Sequence, residues 1–283
     1  MNNKLTCLIT TLCLSAILPL YANKVEPNDC KLCKLALRYY NGDGVEKNCV
    51  EAFKLFLKAA NNGDQYAMLN LGYLYCTGEG VKQNYAEAVK WYQKAVNKGN
   101  PYAMHELAKC YFKGEGVEKN YVEAVKLFQK AADKGVPNAM YNLGCCYEAG
   151  NGVNKNGAEA LKWYRKAADN GFIDAMCKLA RCYFKGIGVE MNYTEAVKWV
   201  RRAADRGDSE SMWVLGCCYE AGEGVEKNYV EAVKWYRRAA ENGDPNAMCK
   251  LSSCYLNGKG VEMNYTEAAK WLQKAAENGF KRQ

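Results

Sequence analysis

The sequence predicts an all-α protein: a right-handed α/α superhelical solenoid of seven helix-hairpin repeats, each 36 residues long. The first observation is a Gly-x-Gly-Val turn that returns every 36 residues and opens at Gly42, Gly78, Gly114, Gly150, Gly186, Gly222 and Gly258. The second is an Asn with a Glu three residues on, at Asn48, Asn84, Asn120, Asn156, Asn192, Asn228 and Asn264. The third is that Val189–Trp199 recurs almost unchanged as residues 261–271. Self-similarity at a fixed period is the signature of a repeat architecture.

Length and composition fit a folded chain. It has 283 residues, 49% hydrophobic and 25% charged, which excludes a disordered or fibrous class. The net charge of +8 is spread over the repeats, with short basic pairs at Arg201-Arg202 and Arg237-Arg238. Because no basic block or recognition motif accompanies this charge, nucleic acid is not an expected partner.

The N-terminus has the layout of a secretory signal peptide. Lys4 is followed by an apolar run from Leu5 to Leu20, and Ala22 offers a small residue for cleavage. We therefore predict a signal peptide at 1–22, a linker at 23–29 and the repeats at 30–283. Export to the periplasm or the medium follows, without stable membrane insertion after cleavage. The alternative is an uncleaved anchor, although the run is short for a spanning helix.

The repeat around Gly114 shows how each hairpin is specified. Apolar residues from Ala103 to Tyr111 recur at helical spacing and predict helix A, which ends at Gly114. Asn120 and Glu123 then form a predicted capping box, with Asn in the Ser/Thr role, at the start of helix B. Gly135 ends helix B as a left-handed C-cap. Stacking of such hairpins buries the faces that one hairpin leaves exposed.

The repeats resemble the Sel1-like repeat family, a branch of the tetratricopeptide-type solenoids. The pattern is carried by Ala139-Met-x-x-Leu-Gly-x-x-Tyr-x-x-Gly-x-Gly-Val153, by Asn228-Tyr-x-Glu-Ala-Val-Lys-Trp-Tyr-x-x-Ala-Ala240 and by Gly243. The match runs from about residue 29 to residue 280, with departures at Gly157 and Cys49. The resemblance implies a scaffold for protein partners. A secreted branch of the family carries a disulfide between the helices of every repeat, and this sequence lacks that regular pair.

Helix A varies between repeats at positions twelve, nine, five and two residues before the turn Gly, and we call these positions the A-helix face. Their spacing places them on one side of the helix, and the resemblance implies that they line a concave groove. Tyr, Trp and Arg are frequent at binding hot spots. The predicted partner-binding residues are Tyr66, Tyr73, Tyr102, His105, Lys109, Phe112, Tyr141, Arg181, Phe184 and Trp213. The alternative is that these side chains only pack against neighbouring repeats.

Catalytic and cofactor motifs are not expected. The chain has one histidine, His105, and it lacks Ser-x-x-Lys and Lys-Thr-Gly. Cys30-x-x-Cys33 resembles half of a zinc site or a redox pair, but no second such motif and no nearby His completes it. We therefore expect no catalytic residue, cofactor or metal, and a non-enzymatic exported scaffold that binds a protein or peptide. The alternative function is a secreted, cysteine-rich hydrolase of cell-wall-related substrates. The oligomeric state is left open.

Thirteen of the fifteen cysteines lie in the repeats. Five of them share a position four residues before the turn Gly and are predicted to be small buried hydrophobes: Cys110, Cys146, Cys182, Cys218 and Cys254. Four others lie on the same face of neighbouring A helices, and Cys49 lies on a B helix beside the A helix that carries Cys76. This placement predicts disulfides in an oxidising compartment and leaves free thiols as the alternative. The predicted bridges are Cys145–Cys177, Cys217–Cys249 and, as a weaker pair, Cys49–Cys76.

Overall fold

The structure is a computed structural model that describes residues 30–279, so the predicted signal peptide and linker lie outside the described residues. This part contains fourteen α-helices and no strand, which confirms the all-α prediction. Numbered in chain order, the helices are α1 (Lys31–Asn41), α2 (Cys49–Asn61), α3 (Gln65–Thr77), α4 (Tyr85–Asn97), α5 (Pro101–Lys113), α6 (Tyr121–Asp133), α7 (Pro137–Ala149), α8 (Gly157–Asp169), α9 (Ile173–Lys185), α10 (Tyr193–Ala204), α11 (Ser209–Ala221), α12 (Tyr229–Glu241), α13 (Pro245–Asn257) and α14 (Tyr265–Glu277).

Two compact units make up the chain, Met1–Asn156 and Gly157–Gln283. Within each unit, odd-numbered helices are the A helices and even-numbered helices are the B helices. In the first unit α1 to α6 pack as consecutive hairpins, with α7 against α6. In the second unit α9 to α14 do the same, with α8 against α9.

Helix B begins as predicted, but its capping box is only half formed. The Asn120 side chain accepts the Glu123 backbone N–H at 3.0 Å. The Glu123 carboxylate pairs with Lys126 at 3.4 Å instead of reaching back. The reason lies in the turn, where the Asn120 N–H already donates to the Tyr111 carbonyl at 2.9 Å. The cap asparagine therefore ties the start of helix B to the end of helix A.

Glycine ends helix A because the chain must turn into the left-handed region there. Gly114 has φ +79°, and its N–H donates to the Cys110 carbonyl at 2.8 Å. Glycine adopts this conformation without the steric cost that a Cβ brings. The local turn signals in the sequence were therefore sufficient to place each hairpin.

Within a hairpin, a small residue on helix A faces a large one on helix B. The rings of Tyr92 and Tyr236 are fully buried against Gly72 and Gly216. A Cβ on Gly216 would lie 2.5 Å from the Tyr236 ring, which leaves no room for alanine. In the hairpin before each of these, helix A has an alanine in place of the glycine, and its partner on helix B is smaller than tyrosine. Ala36 is matched with Phe56, and Ala180 is matched with Val200. Close packing of the two helices thus depends on matched sizes.

Neighbouring repeats meet through the second glycine of each turn. A Cβ on Gly116 would overlap the backbone carbonyl of Tyr85, at the start of helix B in the preceding repeat, and would lie 2.7 Å from the Ala86 N atom. Gly80 and Gly224 make the corresponding approach to Cys49 and Tyr193. This glycine therefore allows one repeat to stack directly on the backbone of the previous one.

The basic pairs in the second unit are used in packing. Arg201 and Arg237 each donate a hydrogen bond to a tyrosine hydroxyl of the following repeat. Arg202 lies 4.3 Å from the centre of the Trp199 ring, and Arg238 stacks in the same way on its own repeat's tryptophan. These contacts give the two basic pairs a role in packing.

Candidate interaction face

In the first unit, the A-helix face has three half-buried positions and one position that is largely sealed. At nine residues before the turn Gly, Leu69 is 6% exposed, His105 is 1% exposed and Tyr141 is 8% exposed. The other positions of the first unit are half-buried, at Tyr66, Tyr73, Tyr102, Lys109 and Phe112. His105 and Tyr141 therefore lie beneath the surface, which corrects the expectation that they offer surface to a partner.

His105 is buried with a partner for each ring nitrogen, one on its own helix and one on the neighbouring repeat. Its Nδ1 lies 3.1 Å from the Glu106 carboxylate, and its Nε2 lies 2.9 Å from the Asn142 side-chain amide on α7. The ring also packs against Phe128 at 5.7 Å between centres. A ring with its proton on Nδ1 satisfies both contacts. The geometry makes His105 a link between repeats.

Glu106 is a buried carboxylate held in its ionised form. Burial by itself raises the pKa of a carboxyl group, but the charge of Lys109 and the hydrogen bond from His105 lower the pKa of Glu106 to about 2. Lys109 Nζ donates to Glu106 Oε2 at 2.8 Å. The sequence singled out His105 and Lys109 but missed Glu106 and Asn142. The three-residue spacing of Glu106 and Lys109 could have indicated Glu106, because oppositely charged residues at this spacing form an ion pair on a helix.

Tyrosines of successive repeats form an aromatic layer in the first unit. The rings of Tyr40 and Tyr73 meet edge to face at 6.4 Å between centres, and the Tyr40 hydroxyl donates to the Glu79 carboxylate at 2.6 Å. Burial, and then the nearby Tyr66, raise the pKa of Tyr102. These half-exposed rings offer apolar area with hydroxyl groups at the edge, which is chemistry suited to a peptide.

The aromatic residues two before the turn Gly are partly engaged within their own repeats. Phe112 meets the ring of Tyr121 at 4.9 Å, and Phe184 meets that of Tyr193 at 5.8 Å. Each contact joins the end of helix A to the start of helix B. Both rings are half-buried, so they mark the rim of the A-helix face in their repeats.

In the second unit the A-helix face is more polar. Asp174 and Glu210 are exposed, while Arg181 and Trp213 are half-buried. The Trp213 Nε1 is buried without a hydrogen-bond partner within the described chain. The exposed carboxylates of Asp174 and Glu210 favour a ligand that carries positive charge.

Glu220 anchors a second, partly exposed network in this unit. Its carboxylate accepts from the Tyr236 hydroxyl at 2.6 Å and from Lys250 Nζ at 2.8 Å, the latter on the next A helix. The Tyr236 hydroxyl also lies 3.4 Å from the Cys217 sulfur. Unlike Glu106, whose partners lie on its own helix, Glu220 joins consecutive A helices, and it does so at a partly exposed position of the face. A polar group with partners in both repeats helps to fix the register of stacking.

The cysteines four residues before the turn Gly are all buried, as predicted. The structure records the thirteen described cysteines as thiols. Cys177 lies 3.4 Å from the Ser211 hydroxyl, and Cys76 lies 3.7 Å from the Tyr92 hydroxyl. Cys145 and Cys177 belong to different units. The Cys145–Cys177, Cys217–Cys249 and Cys49–Cys76 bridges stay predictions for an oxidising compartment.

The chain belongs to the Sel1 repeat family. The Sel1 repeat pattern matches seven consecutive segments, residues 32–64, 65–100, 101–136, 137–172, 173–208, 209–244 and 245–280. These repeats define an all-α solenoid of a class that generally serves as a scaffold for protein interactions. No curated protein matches the chain by sequence.

Two solved structures are similar over most of the chain. One is c5321, a protective antigen present in uropathogenic Escherichia coli strains, which displays an SLR fold. It is 33% identical with a TM-score of 0.79, and the match covers 94% of this chain and 57% of that one. The other is a Sel1 repeat protein from Oxalobacter formigenes, 31% identical with a TM-score of 0.72, covering 88% of this chain and 72% of that one. The chain thus spans little more than half of the c5321 chain.

Among residues 30–279, no helix combines the length and the apolar character needed to cross a bilayer.

Proposed function

We propose that this protein is an exported, non-enzymatic scaffold that binds a protein or peptide through its A-helix face. The observation that carries the proposal is the half-exposed layer of Tyr66, Tyr73 and Tyr102, at two of the four positions of that face in the first unit. Large, stiff aromatic side chains bind with little loss of conformational freedom. The buried His105–Glu106–Asn142 network holds the helices beneath them in register.

A catalytic role for the histidine has little support in the geometry. Both His105 nitrogens face protein side chains, and the ring is 1% exposed. A general base must reach the proton that it abstracts from a substrate. In the second unit, the half-buried Trp213 and the exposed Glu210 extend the proposal to a ligand with apolar and basic groups. The proposed partner of each unit is therefore a protein segment.

Removing tyrosines from the face should weaken peptide binding. Peptides selected from a random library against the full chain provide labelled ligands for fluorescence anisotropy. We expect Tyr73→Ala/Tyr102→Ala to weaken binding by about tenfold or more, because hot-spot aromatics contribute on the order of 2 kcal/mol. Tyr85→Ala is the matched control, since Tyr85 is 36% exposed but begins helix α4. Equal binding by the double variant, with unchanged helical circular dichroism, contradicts the proposal.

The export part of the proposal rests on the apolar run before Ala22. It is supported by the similarity to c5321, because a protective antigen has to be accessible to antibodies. The match covers 57% of that protein, so accessibility is carried over only as a proposal. Export would also place the cysteines in an oxidising compartment, where disulfide bonds can form.

A reporter fusion tests export. Residues 1–29 fused to a phosphatase that folds only in an oxidising compartment should give active enzyme in a bacterial host. Leu14→Arg should abolish that activity, because a charge in the apolar run blocks recognition as a signal peptide. Inactive phosphatase that accumulates in the cytoplasm from the unaltered fusion would show that the segment does not direct export.

A further inference from the structure

Three metal-ligating side chains converge where the first two repeats meet. The Sγ atoms of Cys30 and Cys33 and a carboxylate oxygen of Asp64 all lie within 4.8 Å of one another. Cys30 is the N-cap residue of α1, Cys33 lies in its first turn, and Asp64 is the N-cap residue of α3 in the second repeat. Cys33 is buried, while Cys30 and Asp64 are partly exposed.

The helix ends that present these groups are well defined. The Cys30 and Cys33 thiols are three residues apart and share one side of α1. Asp64 Oδ1 accepts the backbone N–H groups of Tyr66 and Ala67, both at 2.8 Å. This cap fixes the carboxylate in place and leaves Oδ2 for another partner.

We propose that Cys30, Cys33 and Asp64 bind one Zn²⁺ ion between the first two repeats. Thiolates favour Zn²⁺ over Mg²⁺ or Ca²⁺, and a carboxylate oxygen is an accepted third ligand. In a tetrahedral shell with bonds of about 2.0–2.3 Å the donors stand about 3.3–3.8 Å apart. The present cluster therefore closes onto an ion with a movement of about 1 Å.

Binding of the ion is coordination without any redox change. The two thiols release their protons to solvent as two sulfur–zinc bonds form, and the carboxylate adds a third bond. Water takes the fourth position, which the partial exposure of Cys30 and Asp64 leaves open. The ion then links α1 to α3, so it holds the first repeat against the second.

The chain contains a partial copy of this site that serves as an internal control. Cys177 corresponds to Cys33 in the repeat period, and its sulfur lies 3.9 Å from Asp208, which corresponds to Asp64. At the place of Cys30 this repeat has Asp174, which is exposed. The second site thus has one thiol where the first has two. Because thiolates dominate affinity for Zn²⁺, it should bind the ion far more weakly.

Zinc titration of the full chain tests the proposal. Reduced, metal-free protein is titrated with Zn²⁺ against a chromophoric chelator, and Co²⁺ serves as a spectroscopic probe of thiolate ligation. We expect one tight equivalent with thiolate-to-cobalt charge-transfer bands. Asp64→Asn should weaken binding about tenfold or more and keep the fold, because Asn100 caps α5 in the same way, accepting the Ala103 N–H at 2.9 Å.

Two further variants separate this site from the other thiols. Cys30→Ser/Cys33→Ser should abolish the tight equivalent and the charge-transfer bands, while Cys177→Ser should leave both unchanged. Tight binding that survives in the double serine variant overturns the proposal. So does equal affinity in Asp64→Asn, or a Cys30–Cys33 disulfide in the protein as isolated that excludes the metal. In each case circular dichroism confirms that the repeats are folded.

Discussion

We expect Gly116→Ala to destabilise the protein by about 2–5 kcal/mol. Two costs combine at this glycine. A Cβ at φ +73° brings about 1–2 kcal/mol of backbone strain. The same atom overlaps the Tyr85 carbonyl, and relieving an overpacked contact costs about 1–3 kcal/mol. Because the contact is with backbone, the second and third repeats have to separate to make room.

Gly135→Ala is the matched control for this prediction. Gly135 lies in the same repeat and has φ +85°, but nothing lies within 4 Å of a Cβ built there. It should therefore cost only the strain of about 1–2 kcal/mol. Chemical denaturation compares the two variants, and hydrogen exchange should show faster opening of α4 and α5 in Gly116→Ala alone. Equal losses in both variants would mean that stacking does not depend on this contact.

The buried carboxylate on α5 should make stability depend on pH on the acid side. The folded pKa of Glu106 is about 2, below the ordinary value of 4.5 that applies to the unfolded chain. Its contribution is therefore fully present above about pH 5 and is lost as the pH falls from 4.5 towards 2. The contribution is on the order of 3 kcal/mol, since the two pKa values differ by about 2.5 and one pKa unit corresponds to about 1.4 kcal/mol.

Glu106→Gln should reduce stability at pH 7 by an amount of this order and flatten the acid limb of the stability curve. The amide carries no charge for Lys109, whose pairing with Glu106 is partly buried. Glu87→Gln is the control, because its ion pair with Lys90 is exposed and contributes at most about 0.5 kcal/mol. Urea denaturation across pH 2.5–7 measures both. An unchanged acid limb in Glu106→Gln would show that another group titrates there.

The hairpins were predictable from sequence because their signals are local. Asn120 and Gly114 each act through backbone groups of their own repeat, so the residue type indicates the conformation. The Glu half of the capping box failed for a non-local reason. The N–H that Glu123 was expected to bind is already used by Tyr111, on the preceding helix. The capping-box pattern spans only four residues, so it gives no information about this competing hydrogen bond.

The burial of side chains on the A-helix face was not predictable from the sequence. Periodicity places His105 on one side of α5 with Tyr102 and Lys109. Its burial, however, depends on Asn142 and Phe128, which other helices bring to it. Asp64 lies 31 residues beyond Cys33 and resembles an ordinary helix cap. Its convergence with the two thiols appears only once adjacent repeats are stacked.

Side-chain footprinting of the peptide-bound chain tests the A-helix face most directly. Hydroxyl-radical labelling reports which tyrosines lose solvent access when a selected peptide binds. Binding through the face predicts protection of Tyr66, Tyr73 and Tyr102, with labelling of Tyr85, Tyr193 and Tyr265 unchanged at the starts of B helices. Protection of the B-helix tyrosines with the A-helix tyrosines unaffected would contradict it.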